Sequence, residues 1–404
     1  MNSNFFWRFS GNENIYLKKI LCRGLRPKKE KTFNYLLEKK WSNYHKLKYS
    51  ITTNSCTSAL HVALLSLDFK KGDEVLVPSL TPVMCANAII FAGLTPVFVD
   101  VCKDNFLIDP KDLLKKITKK TKAIMLVHMY GGICDGKKYK NIAKKYKLKI
   151  VEDCAESLGA KDQNGSLAGT IGDVACWSFQ SAKHITCGDG GIIATSNKKI
   201  AEKARKYSNL GFRFLKANVD KIIVNKKKLQ NPLTERFSLI GYNYRLNEFS
   251  AAIALAQFEK IKFFLKLRRY VAKKLLKEIK KMNYLKPQYI SKTSYSTYYT
   301  LSVFLNSKKI KWKNFQKKFT DFGGDSPYAA SRILQDEPSI KFSNLGRCFV
   351  SCKKNCLQNC KGTPIARKLQ RNILNFCTNQ GSYKDADKQV TAMKKTINYF
   401  NEKI

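Results

Sequence analysis

The chain has 404 residues, too many for one ordinary hydrophobic core, so about two domains are expected. Hydrophobic residues make up 44%, enough to build a sizeable interior, which excludes a disordered protein. Lysine and arginine outnumber aspartate and glutamate by 75 to 30, a formal charge of +45. The lysines run along the whole chain, often in pairs such as Lys119-Lys120 and Lys198-Lys199, and no zinc-finger, homeodomain or RNA-recognition signature organises them. A solvated basic surface that attracts anionic ligands is expected, rather than a nucleic-acid groove.

The opening MNSNFFWRFSG lacks the charged start, apolar core and small-residue cleavage site of an exported chain. Its thirteen cysteines are therefore expected to be reduced thiols of a cytoplasmic protein. In TTNSCTSALHVALLSL (52–67), Ser55 or Thr57 is placed to cap a helix that carries Ala59, Val62, Ala63 and Leu67 on one face. The start of such a helix is also a phosphate site, because its free N–H groups and its dipole favour an anion. Pro82 to Val99 is apolar and of about membrane-spanning length. Asn87, Gly93, Thr95 and Pro96 divide it into a short helix, a turn and a strand, so no membrane insertion is expected.

EVLVP (74–78), TPVFVD (95–100), KAIMLVH (122–128), KIVED (149–153), ACWSF (175–179) and GGIIATS (190–196) read as strands. Helical spacing lies between several of them, as at Ile142, Ala143 and Tyr146. This alternation predicts an α/β fold with a mainly parallel central sheet and flanking helices. Such sheets bind ligands beyond the carboxyl ends of their strands, where Asp153 falls. Glu156 follows three residues later in VEDCAESLGA (151–160). An acid at this point either caps a helix or keeps a heterocyclic nitrogen protonated. In WSFQSAKHITCGDGG (177–191), Lys183 stands apart from the lysine runs. It is either one more solvated charge or a pocketed amine able to form a Schiff base with an aldehyde.

Residues 212–240 read as a polar excursion, 247–280 as one long helix and 385–400 as another helix. The expected division is a large domain with an N-terminal arm (1–254) and a smaller C-terminal α+β domain (255–404). Tyr328 and Arg332, in FGGDSPYAASRILQDEP, are either contacts for a sugar nucleotide or surface packing, and surface packing is the reading preferred. Cys348, Cys352, Cys356 and Cys360 form a ladder at spacings of four, without the two-residue gaps usual in metal sites, so no metal is expected.

Taken together and in order, NSCTSALHVAL, GDEVLVPSLTPVMCANAI, AGLTPVFVDV, LVHMYG, VEDCAESLGA, GTIGDVACWSF, SAKHITCGDGGIIATS and IGYNYRLNEFSAAIALAQ resemble the DegT/DnrJ/EryC1/StrS sugar aminotransferases. The resemblance is close over roughly residues 50–260. It implies a fold-type I enzyme that uses pyridoxal 5'-phosphate, with Lys183 as the Schiff-base lysine and proton shuttle. It implies Asp153 against the pyridinium nitrogen, Glu156 beside the ring, and Thr57, Ser58 and Ser178 around the phosphate. Asn243 would reach the phosphate of a partner subunit, which implies a homodimer with shared active sites. The implied reaction moves an amine from glutamate to a keto sugar nucleotide, in amino-sugar and surface-glycan (O-antigen) synthesis. The commonest acceptor among the nearest-looking relatives, as in perosamine synthesis, is an NDP-4-keto-6-deoxyhexose. Relatives with histidine in place of the lysine are dehydratases, and a silent binding protein on the same fold is a further alternative. Two departures stand out. Cys56 replaces the glycine usual in the Ser-Gly-Thr turn, and Pro82 or Met84 stands where many members stack an aromatic residue on the ring.

Overall fold

The computed structural model describes residues 5–25, 30–218, 229–326, 328, 330–341 and 362–402. The cysteine ladder at Cys348, Cys352, Cys356 and Cys360 lies outside the described residues. After a short 3-10 turn, Phe5–Phe9, come α1 (Glu13–Arg23) and α2 (Phe33–His45). The next strand, β1 (Tyr49–Thr53), is not legible as an apolar run. Its single aliphatic residue, Ile51, is buried only because the strand is paired. Then follow α3 (Cys56–Leu65), β2 (Glu74–Pro78), α4 (Met84–Phe91), β3 (Thr95–Val99), α5 (Pro110–Lys115) and β4 (Thr121–Val127). The unit closes with α6 (Gly136–Tyr146), β5 (Lys149–Asp153), β6 (Val174–Ser178), β7 (Gly191–Thr195) and α7 (Lys198–Ser208). All six expected strands form, within a residue or so at each end.

These strands make one seven-stranded sheet in the order β1-β7-β6-β5-β4-β2-β3. Strands β2 to β6 run parallel, and β7 is antiparallel to both of its neighbours. Burial on both faces explains the near-continuous apolar runs of the central strands. The apolar stretch from Pro82 resolves into α4, a turn at Gly93 and β3, as its polar residues imply. Among the described residues no helix is long and apolar enough to cross a membrane.

The long helix expected over 247–280 is two helices, α8 (Glu248–Glu259) and α9 (Ile261–Ile279). The break is at Lys260, whose N–H bonds the carbonyl of Gln257 instead of continuing the helical ladder. Side-chain bonds from both Gln257 and Lys260 to the carbonyl of Arg8 hold the chain there. Helix α9 begins in the core around Trp41 and Trp177, and ends in a third core. That third core lies between α9, α10 (Trp312–Asp321), α12 (Tyr383–Asn401) and a small antiparallel sheet. The sheet has the order β10-β9-β8, from β8 (Leu285–Pro287), β9 (Thr300–Leu305) and β10 (Ile373–Cys377). Helix α11 (Pro364–Gln370) precedes β10 and packs on the large sheet's core through Ala366 and Leu369.

One buried ion pair ties α2 to the sheet. The Arg205 guanidinium forks onto both Glu38 oxygens at 2.8 and 2.7 Å and also bonds the carbonyls of Ser50 and Ala217. Glu38 in turn accepts the backbone N–H and the hydroxyl of Thr52 in β1. Removing one member of a buried pair strands the other charge, so Arg205→Met is expected to lower stability by about 3–5 kcal/mol. The double variant Glu38→Met/Arg205→Met should recover part of the loss in urea denaturation. If it is no more stable than the single variant, charge stranding is not the cause.

Candidate active site

Pairing register brings the functional segments to one edge of the sheet. Val127 lies opposite Asp153, and Asp153 opposite Cys176, at the carboxyl ends of β4, β5 and β6. The reversed strand β7 begins at the same edge, with Gly191 opposite both Ser178 and Thr53. A Cβ on Gly191 would lie 2.5 Å from the Ser55 carbonyl oxygen and 2.7 Å from the Cys56 nitrogen, so only glycine lets the first turn of α3 sit here. Ser55 caps that helix, its Oγ accepting the Ser58 N–H at 3.1 Å and pairing with the Ser58 hydroxyl at 2.9 Å. The Cys56 and Thr57 N–H groups have no acceptor among the described residues, which leaves positive helix dipole and free donors at the edge. Cys56 is accommodated as an ordinary helical residue. Burial and then Asp153 push its thiol pKa well up.

Lys183 and Glu156 meet at this edge, with Lys183 Nζ 3.4 Å from Glu156 Oε1. Burial pulls the Lys183 amine down, but the carboxylates of Glu156 and Asp153 act against it and the net direction is up. Glu156 Oε2 accepts the Tyr130 N–H at 2.9 Å. Asp153 Oδ1 accepts the Ala155 N–H at 2.9 Å, and its Oδ2 accepts the Cys85 thiol at 3.2 Å. Ser178, at the end of β6, accepts the Gln180 N–H at 3.3 Å. Asn243 is exposed on the 241–247 segment, paired through its backbone with Asn209, and among the described residues no hydrogen bond joins it to this group.

Several residues here are not assigned to the site from the sequence. Tyr130 is non-glycine yet left-handed, at φ 63°, and its buried hydroxyl has no partner among the described residues. The adjoining Gly131 lets the 296–299 segment dock, because its Cβ would lie 2.3 Å from the Tyr298 nitrogen. The Gly131 carbonyl accepts the Thr297 N–H and the Ser296 hydroxyl. That docking carries the Tyr299 ring to 4.5 Å from Lys183 Nζ, within cation–π range. Tyr299 donates its hydroxyl to that of Tyr328 at 2.6 Å. Tyr328 thus belongs to the wall of the site, not merely to the surface, whereas Arg332 is exposed. The ring against Lys183 is that of Tyr299, and Met84 is 45% exposed. His184 is buried beside Tyr299, and burial followed by Arg268 holds its pKa well below the ordinary value.

A mostly parallel seven-stranded sheet, a lysine beside paired acids at its carboxyl edge and a small antiparallel C-terminal sheet define a fold-type I aminotransferase. The chain belongs to the DegT/DnrJ/EryC1/StrS aminotransferase family, which it matches over residues 27–324. It is 36% identical to the GDP-perosamine synthase of Escherichia coli O157:H7 over 272 residues, 67% of this chain and 69% of that protein. Its fold matches an aminotransferase from Psychrobacter cryohalolentis at a TM-score of 0.82, with 24% identity over 96% of each chain. It also matches a GDP-4-keto-6-deoxymannose-3-dehydratase, solved with a trapped PLP-glutamate geminal diamine, at a TM-score of 0.78. That likeness has 22% identity and covers 94% of this chain and 96% of the other.

His184 shares its neutral burial with His45, whose pKa burial lowers to about 3 despite a bond to the Trp41 carbonyl. Unfolding lets both take up protons below about pH 6.5, so their contribution is full above that pH and falls as pH drops below it, for His45 down to about 3. Stability is expected to decline by about 1.4 kcal/mol per pH unit for each histidine below pH 6.5. Denaturant titrations at pH 7.5 and 5.5 should show the drop, and His45→Phe should remove the share due to His45 while leaving that of His184. Equal stability at both pH values would contradict the burial of these rings as neutral groups.

Proposed function

We propose that the chain transfers an amino group from glutamate to a keto sugar joined to a nucleoside diphosphate, with pyridoxal 5'-phosphate as cofactor. The acceptor we favour is an NDP-4-keto-6-deoxyhexose, which would give an amino sugar for surface-glycan (O-antigen) synthesis in the cytoplasm. The observation that carries this reading is the Lys183 amine, half-buried between Glu156 and the Tyr299 ring with Asp153 in electrostatic reach. The residues present suit the cofactor. The edge offers an amine, a carboxylate, and a helix start whose first N–H groups, at Cys56 and Thr57, have no acceptor among the described residues, beside Ser55 and Ser58. Lys183 Nζ would hold the cofactor covalently, and Thr57, Ser58 and Ser178 would surround its phosphate. Asp153 keeps spare acceptor capacity on both oxygens after binding Ala155 N–H and the Cys85 thiol, enough to pair with a protonated ring nitrogen. When bound, the cofactor supplies an electron-withdrawing ring that acidifies the carbon bearing the amino group.

Once the incoming amino group displaces Lys183 Nζ from the cofactor, the freed amine would act as base and then acid, taking the proton from the carbon that bears the amino group and returning it to the cofactor carbon bonded to the same nitrogen. To do so the amine must be neutral, and Glu156 stabilises its charged form between the two transfers. The Tyr299 ring, held by its bond to Tyr328, covers one side of the amine. A dehydratase reading needs a non-lysine residue at position 183, and His184 does not replace it, because its ring is buried. We assign Asn243 to the phosphate of a partner subunit. Its exposure within a chain that leaves the α3 end open supports a homodimer with shared sites.

The test is the visible absorption spectrum of the protein with pyridoxal phosphate, before and after L-glutamate. A yellow band that bleaches with glutamate supports the reading, and Lys183→Ala should abolish both the band and borohydride trapping of cofactor on the protein. A band that glutamate leaves unchanged points to another donor, a dehydratase or a silent binder. Trapping that survives Lys183→Ala removes the role given to Lys183.

A further inference from the structure

Arg8 lies in the N-terminal 3-10 turn, more than 170 positions before Lys183, yet it is 1% exposed. Its Nη1 donates to the Ser181 carbonyl at 3.1 Å, and its Nη2 donates to the carbonyls of Lys183 at 2.7 Å and His184 at 3.1 Å. Among the described residues no carboxylate pairs with it. A guanidinium buried without a counter-ion is unfavourable, and Arg268 nearby makes it more so. Such an arrangement persists where the donors are needed.

The segment 180–184 has no strand or helix to hold it. On one side it is stitched by the Lys183 N–H to the Gln180 carbonyl and by the Ala182 N–H to Gln180 Oε1, each at 2.9 Å. The carbonyls of Ser181, Lys183 and His184 are left over, and the rigid fork of Arg8 meets all of them. Arg8 is itself fixed. Gln257 and Lys260, at the break between α8 and α9, bond its carbonyl, and both side chains also bond Glu13. The neighbouring Trp7 packs edge-on to Phe264, with ring centroids 5.9 Å apart.

We propose that Arg8 is a positioning residue for Lys183, and that the N-terminal arm is the element that aims the reactive amine. This rests on the reading of Lys183 as the cofactor-bonding amine. The guanidinium holds the peptide plane that follows the Lys183 Cα and the 181–182 and 184–185 planes flanking it, while the Lys183 N–H bond to Gln180 holds the plane before it; between them they fix the direction in which Nζ leaves the backbone. A lysine here would supply charge and donors without the planar fork, and a methionine would supply neither.

The full-length wild type is compared with Arg8→Lys and Arg8→Met by three measurements. They are amide hydrogen exchange at 182–185 without cofactor, the pH midpoint and strength of the pyridoxal-phosphate band, and the kcat and KM of the glutamate half-reaction. Arg8→Met is expected to speed exchange at 182–185, to shift the band's pH midpoint, and to lower kcat about 100-fold with KM little changed, the loss expected of a misplacement of about 1 Å. Arg8→Lys should recover part of each effect. A lower melting temperature with unchanged exchange, midpoint and kcat would make Arg8 merely structural and overturn the proposal. If Arg8→Met does not fold, Gln257→Leu, which loosens the anchor of Arg8, must move the same readouts in the same direction, or the proposal fails. A wild type that forms no band refutes the cofactor reading instead, and the exchange data then decide whether Arg8 holds the turn.

Discussion

The two acids that end β5 face opposite ways, and the site depends on that division. Glu152 is fully buried and accepts the N–H groups of Gly169, Ile171 and Gly172, at 2.9, 2.7 and 2.6 Å, together with a bond to His128 Nε2 at 2.9 Å. His128 Nδ1 accepts the Cys134 N–H, which fixes the ring as the neutral Nε2–H form. One carboxylate thereby pins the ends of two strands and the loop that leads into β6. Its oxygens are spent on these bonds, so although Cys154 completes a group within 4.8 Å, the arrangement is a structural brace rather than a metal centre. Because strand side chains alternate, bracing Glu152 on one face leaves Asp153 on the other, facing Cys85 and the α3 turn.

The second constraint is the sharing of charge around Lys183. The chain is strongly basic, yet within the site a single amine is set against two carboxylates, and the nearby arginines are turned to carbonyls. Arg268 bonds the Tyr299 carbonyl and the Thr378 hydroxyl, and its charge helps keep His184 neutral. The surface excess of lysine therefore says little about the chemistry. What matters locally is which charges are desolvated and what each one faces.

Large-domain strands and helices were legible because a sheet buried on both faces writes itself as apolar runs, and these lie between helical spacings over residues 74–208. The break at Lys260 was not legible. It carries no proline or glycine, and is set by bonds to Arg8 from a distant part of the chain. Strand β1 was hidden for the same reason, since Tyr49–Thr53 earns its burial from pairing with β7 and not from its own hydrophobicity. Tyr328 was read as surface packing because only the fold brings its hydroxyl to Tyr299.

By itself the sequence determined the strands β2 to β7 and their order, the family, and the candidates Lys183, Asp153 and Glu156, because those depend on local pattern and on residue types at short spacing. Tertiary structure decided which of them meet. Lys183 reaches Glu156 across 27 positions, Tyr299 arrives from the small-sheet region by docking on Gly131, and Arg8 crosses from the N-terminal arm to bind carbonyls that no local pattern announces. Backbone acceptors carry no residue identity, so a side chain recruited to bond them leaves no trace in spacing or composition. Only the packing of distant segments, which fixes where those carbonyls point, reveals the contact.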